Sequence, residues 1–402
     1  MSALQKQWAR QHVESLPPAP VSFDETEEDD FADDLRPLSS SRNDSSSSAS
    51  STGTIVPTAE QNLFQRPTLT QPKSKYEPIP WQTFFEEELY LDLGNGTTSH
   101  AYFTPPTTSD APLFCFHHGA GASGLSFALF SAALKATLPK AGFLSPDCRG
   151  HGQTHTTSHK LDLNLDTLAN DLTAAIKTVQ QRFAWPKLPS IVLLGHSLGG
   201  AVVTELASQK MLGDSVLGYG VLDVVEGSAM DALQSMEQYL STRPRSFPSV
   251  ISAIEWHVRS RTLRNSNSAR VSVPPLLKAE GTGDNARNLA WRTDLSATKP
   301  FWENWFVGLS SKFLSTPGVG KLLILAGTDR LDKELMIGQM QGKYQLQVFP
   351  EAGHFVHEDQ PEKTATVVAD FFRRNDRSAL VLPPKVDDLI KQGKLRPGKE
   401  LR

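Results

Sequence analysis

The sequence predicts an α/β fold with a mostly parallel sheet covered by helices on both faces, and three observations carry that prediction. Short apolar strands alternate with helical stretches along most of the chain. The apolar run Ile191-Val192-Leu193-Leu194 passes straight into the glycine-flanked serine of Gly195-His196-Ser197-Leu198-Gly199-Gly200. After Asp223 the strand rhythm stops, and it resumes only beyond residue 317. Alternation of this kind implies right-handed crossovers and parallel pairing.

The elements follow in order. Ordered structure is expected from Tyr76-Glu77-Pro78-Ile79-Pro80-Trp81, where two prolines stiffen the chain and an indole can anchor it. Strands at 87–93 and 99–103 flank the turn Gly94-Asn95-Gly96 and form an antiparallel sheet edge. Further strands are expected at 113–117, 142–145, 191–194, 219–222, 322–326 and 344–349. Helices are expected from about 127, over 165–183, from 200, and over 362–373. The segment from 224 to about 317 holds helical stretches near 230–239 and 248–261 and the Trp-rich piece Phe301-Trp302-Glu303-Asn304-Trp305-Phe306. It reads as an inserted lid within a domain spanning 76–377, with 378–402 as a C-terminal extension.

Residues 1–75 have a different character. They combine an acidic block, a Ser-rich stretch at 39–51 and scattered prolines, with too few aliphatics to offset the entropy of ordering. A disordered tail is expected there. It carries 7 basic and 11 acidic side chains, a net of −4 that equals the formal charge of all 402 residues, so the body is balanced. A balanced body offers no electrostatic footprint for nucleic acid or an anionic membrane. No apolar run suits a membrane span, and the N-terminus lacks the apolar region of a signal peptide. A cytoplasmic or nuclear protein is the expectation. The two cysteines, Cys115 and Cys148, read as core thiols rather than a disulfide framework.

Chemistry is most visible at Ser197. Gly-x-Ser-x-Gly between a strand and a helix is the nucleophile elbow of the α/β-hydrolase fold, which holds the serine on a strained turn above the sheet. The segment His117-His118-Gly119-Ala120-Gly121-Ala122-Ser123 follows another strand, and its small residues let backbone N–H groups approach a reacting oxygen. Ala120 is the expected donor there, with Gly119 and Gly121 as alternatives, and the N–H of Leu198 is the second. A plain strand-to-helix turn would explain the same glycines. His118 and His151 read as structural hydrogen bonders. His354 lies after the last expected strand, where the general base belongs; His357 competes but lies toward the helix. For the acid, Asp223 and Asp329 each follow a strand. Placement alone slightly favours Asp329, with Asp332 third, although turn or helix-cap aspartates are common at such positions.

Longer motifs extend the pattern. Pro78-Ile79-Pro80-Trp81, the elbow, Asp223-Val224-Val225-Glu226-Gly227-Ser228-Ala229-Met230-Asp231, Arg261-Thr262-Leu263-Arg264-Asn265, Ile337-Gly338-Gln339-Met340-Gln341-Gly342-Lys343 and Gly353-His354 together resemble the protein phosphatase methylesterase family. That resemblance covers the chain from about 76 to 372. It implies a serine carboxylesterase without a cofactor or metal that demethylates the C-terminal leucine of the type 2A protein phosphatase catalytic subunit. It also implies Asp223 as the acid, since the family's acid opens the Asp-Val-Val-Glu-Gly motif. Trp302 and Arg270, within lid motifs, become candidates for contacting the phosphatase, or else for simple lid packing. The sequence departs from the family at Ala120 and Ala122-Ser123, and its 276–288 segment lacks a long acidic insertion. A generic small-ester hydrolase, or a non-catalytic phosphatase-binding scaffold, are the other functions weighed.

Overall fold

Alternating side chains on the central strands divide the core into two layers. Leu113 and Cys115, Ile191 and Leu193, and Leu323 and Leu325 face one layer. Phe114 and Phe116, Val192 and Leu194, and Leu322 and Ile324 face the other. Strands buried on both faces read as continuous apolar runs, which is why the sequence signal for them is strong. The computed structural model describes residues 75–158, 160–280, 288–327 and 331–376. The expected tail at 1–75, apart from Lys75, and the extension at 378–402 lie outside these residues.

The main sheet contains β1 (Glu87–Asp92), β2 (Thr97–Thr104), β3 (Leu113–His117), β4 (Gly142–Pro146), β5 (His155–Thr156), β6 (Ile191–His196), β7 (Val216–Leu222), β11 (Gly320–Leu325) and β12 (Gln345–Val348). Their order is β1-β2-β4-β3-β6-β7-β11-β12, with β5 beside β2. Pairing is parallel from β4 through β12, while β1, β2 and β5 supply the antiparallel edge. One face is covered by α2 (Leu165–Arg182) and α3 (Leu198–Ser208), through residues such as Ile176, Val179, Val202 and Leu206. The other is covered by α1 (Ala128–Thr137) and α11 (Pro361–Asn375), through Phe130, Leu134, Val368 and Phe371. Cys115 and Cys148 are buried free thiols, and burial pushes both upward, so neither is a ready nucleophile.

Between β7 and β11 the chain forms α4 (Glu226–Thr242), α5 (Val250–Arg259), α6 (Ser266–Ser272), α7 (Trp302–Phe306) and α8 (Leu309–Ser315). It also forms a small antiparallel sheet, β8 (Ser246–Phe247), β10 (Leu289–Trp291) and β9 (Leu277–Ala279), that the sequence reading does not anticipate. Strands of two or three residues are too short to show alternation. Phe247, Ile254, Leu263 and Leu277 pack into a separate apolar cluster, whereas Trp302, Trp305 and Phe306 join the core under the main sheet. Near the C-terminus α9 (Lys333–Met340) precedes β12, and the one-turn α10 (Val356–Asp359) precedes α11.

Candidate active site

Ser197 sits between β6 and α3 with φ +52° and ψ −120°, a conformation that non-glycine residues rarely adopt. The elbow cannot relax, because its neighbours are pressed against backbone. A Cβ on Gly195 would lie 1.9 Å from the Gly199 carbonyl oxygen, and one on Gly199 would lie 1.9 Å from the His117 carbonyl oxygen. The Ser197 N–H donates to the Leu222 carbonyl at 3.0 Å, tying the elbow to the end of β7.

Asp223 follows directly on that strand end, is buried and also has positive φ, +49°. Its Oδ1 accepts from the Ala326 N–H at 2.8 Å, which fixes the carboxylate against the end of β11. Its Oδ2 lies 2.8 Å from Nδ1 of His354, whose side chain is 43% exposed. The structure therefore brings His354, the candidate base, together with Asp223, the candidate acid that the family resemblance implies. Asp329, the other candidate acid, lies outside the described residues. Asp332 instead caps α9, where its Oδ1 accepts from the Leu335 N–H.

His357 is placed differently. It is buried, stacks on Phe127 with ring centroids 4.4 Å apart, and has no hydrogen-bond partner on either ring nitrogen among the described residues. Burial, and then the neighbouring His354, push it down to about 3, so it stays neutral. Without a carboxylate it lacks the orienting group a base needs.

The loop after β3 lies against the elbow: a Cβ on Gly119 would come within 3.1 Å of the Ser197 Cβ. Its Gly121 N–H donates to Nε2 of His151 at 2.9 Å, which removes Gly121 from the possible oxyanion donors. The Leu198 N–H belongs to the first turn of α3, where helix geometry supplies no internal acceptor. His117, His118 and His151 are all buried, and burial lowers each of them, His117 to about 4.

Residues to which the sequence reading gives no role hold the loop that carries His354. Nε2–H of His196 donates to the His354 carbonyl at 2.9 Å, linking the elbow to the base loop. Burial, then His354 and His357, hold His196 well below its ordinary value. Asp359 accepts from the Gly353 and Arg264 N–H groups at 2.7 and 2.8 Å, and Arg264 donates to the Glu351 carbonyl. No periodicity marks His196 or Asp359, and although both lie in or beside the motifs that carry the resemblance, the sequence reading gives neither a role.

Trp302 is buried and donates its indole N–H to Thr298 at 2.7 Å. Arg270 donates through Nε to the Glu77 carbonyl at 2.6 Å and through Nη1 to Asn267, while its own carbonyl accepts from Ile79. Both side chains have internal partners.

Comparison with known proteins fits this geometry. Residues 114–367 match the model of the alpha/beta hydrolase family. A hydrolase of E-2-(acetamidomethylene)succinate has the same fold at TM-score 0.57, with 18% identity, 71% of this chain and 99% of that one covered. A protein of Aspergillus oryzae named protein phosphatase methylesterase 1 is 55% identical over 424 residues, covering 100% of this chain and 96% of that one. The chain belongs to the protein phosphatase methylesterase family. Members so named from Gibberella zeae and Schizosaccharomyces pombe are 59% and 47% identical, covering 86% and 76% of this chain and 86% and 87% of their own lengths. As a methylesterase-family α/β hydrolase, the chain is a carboxylic ester hydrolase. Among the described residues no helix is long and apolar enough to cross a membrane.

Proposed function

We propose that this enzyme removes the methyl group from the C-terminal leucine methyl ester of the type 2A protein phosphatase catalytic subunit, and that Ser197, His354 and Asp223 do the chemistry. The observation that carries the reading is the 2.8 Å contact between His354 and a buried, backbone-anchored Asp223 beside the strained Ser197 elbow. A methylesterase name on relatives covering nearly the whole chain supports the substrate.

The Ser197 oxygen attacks the ester carbonyl while His354 takes its proton, and Asp223 holds the imidazole with Nδ1–H toward the carboxylate. The tetrahedral oxyanion is met by the N–H groups of Ala120 and Leu198. His354 then returns the proton to the departing methoxide, so methanol leaves and an acyl-enzyme remains. Water, deprotonated by His354, attacks that ester, and collapse restores Ser197 and frees the carboxylate.

The segment between β7 and β11 acts as the lid that accepts the phosphatase. Trp302 and Arg270 serve this lid as internal supports, because the Trp302 indole N–H is held by Thr298, and Nε and Nη1 of Arg270 are held by Glu77 and Asn267. A fluorophosphonate should form a covalent adduct that peptide mapping places on Ser197, and methylated phosphatase subunit should slow its formation. An adduct elsewhere, or no protection by the subunit, would overturn the reading.

A further inference from the structure

Two buried histidines outside the triad hold consecutive peptide planes of the loop after β3. Nδ1–H of His118 donates to the Gly119 carbonyl at 2.8 Å, and its Nε2 accepts from the Cys148 N–H at 2.8 Å. Nδ1–H of His151 donates to the Arg149 carbonyl at 3.0 Å, and its Nε2 accepts from the Gly121 N–H at 2.9 Å. Because peptide N–H groups only donate, each imidazole must be neutral with its proton on Nδ1.

Peptide planarity gives these contacts a direction. The Gly119 carbonyl and the Ala120 N–H belong to one planar trans unit and point opposite ways. Gripping the oxygen from behind therefore aims the Ala120 N–H away from His118. The next plane carries the Gly121 N–H and is held by His151, so the chain cannot rotate about Ala120 without breaking one of the two bonds. Both histidines are anchored to the loop after β4, which Arg149 fastens to α2 through paired bonds to Asp171 at 2.7 and 2.8 Å.

We infer that His118 and His151 are positioning residues, a pair of neutral imidazoles that orient the Ala120 N–H toward the oxygen developing negative charge at Ser197. The inference rests on the oxyanion role proposed above for Ala120. Both ring nitrogens of each histidine are engaged by loop backbone, so their effect passes through the backbone they hold. Their benefit is realised where charge develops, in the transition state rather than in substrate binding.

The test compares His118→Leu, His151→Leu and His151→Gln with the wild-type enzyme on a small aryl ester, alongside fluorophosphonate labelling rates and thermal unfolding. Each leucine variant should lose kcat on the order of 10²-fold, as expected for a misplaced donor, with KM nearly unchanged. His151→Gln should recover much of the rate, since its amide can accept from Gly121 and donate to Arg149. A folded leucine variant with wild-type kcat would overturn the inference. If the leucine variants fail to fold, nitrogen-15 spectra of the wild-type imidazoles decide: Nδ1–H tautomers for both between pH 6 and 8 are expected, and an Nε2–H or charged form would overturn it. Absence of any Ser197 labelling in the wild type would instead fault the proposed function, whereas equal labelling of wild type and folded leucine variants would fault only the positioning role.

Discussion

Asp223 divides its two carboxylate oxygens between different tasks: Oδ2 meets Nδ1 of His354 at 2.8 Å, and Oδ1 accepts the Ala326 N–H at 2.8 Å. In Asp223→Asn the amide oxygen satisfies Ala326, which leaves the NH2 group facing His354. An NH2 there favours the imidazole with Nδ1 bare and Nε2 protonated, the wrong form to take the Ser197 proton. Turnover should fall about 10⁴-fold with folding intact, read as kcat and melting temperature. A variant within tenfold of wild type would contradict the assignment of the acid.

Ser197 carries backbone strain that function requires and stability does not. Its φ of +52° costs a non-glycine residue about 1–3 kcal/mol in such regions, a cost glycine largely avoids. Ser197→Gly should therefore melt above Ser197→Ala while both lack esterase activity. A lower melting temperature for the glycine variant would argue against strain at the elbow. By contrast, Gly195→Ala should not fold normally, because its Cβ would overlap the Gly199 carbonyl.

The buried histidines predict acid lability. His117, His118, His151, His196, His257 and His357 are all held below their ordinary values, chiefly by burial. For a base whose folded value is depressed, the unfolded chain binds protons first, so stability is present above about pH 6.5 and is lost as pH falls toward the folded values. Each group contributes up to about 1.4 kcal/mol per pH unit, against a total of about 5–15 kcal/mol for a typical domain. Denaturant titrations should show a steep loss between pH 6.5 and 5. Equal midpoints at both values would contradict the neutral histidines.

Glu358 predicts the opposite limb. Burial raises it to about 8, so the folded state keeps a proton that the unfolded state has lost above the ordinary glutamate range. Its contribution is greatest at low pH and is lost as pH rises toward about 8. Glu358→Gln should thus gain stability relative to wild type from pH 5 to 8 and level off above. A difference that shrinks over that interval would be inconsistent with a protonated buried carboxyl.

Much of the frame was legible because the central strands are apolar on both faces and the elbow glycines have no alternative. The prediction at 113–117 coincides with β3, and 165–183 ends one residue beyond α2. Expected strand starts came late at β7, which begins at Val216, because Gly218 and Gly220 dilute its apolar pattern. The β8–β10 sheet was invisible because register between such short strands is set by tertiary contacts, including Phe247 against Trp291 with ring centroids 5.4 Å apart. Within the site, Ser197 and His354 stood out by type and order, whereas order left Asp223 and Asp329 both open and only the family resemblance preferred Asp223. The hydrogen bond from His196 to His354 was not, since it joins residues 158 positions apart. For the Trp-rich motif the sequence left contact with the phosphatase and lid packing both open, and in the structure Trp302 is buried.

The most direct measurement is methanol release from C-terminally methylated type 2A phosphatase catalytic subunit, incubated with the wild-type enzyme and with Ser197→Ala. One methanol per methylated subunit, formed by the wild type and absent with Ser197→Ala, is the predicted result. Methanol formed at comparable rates by both proteins, or by neither while a simple aryl ester is still hydrolysed by the wild type, would contradict it.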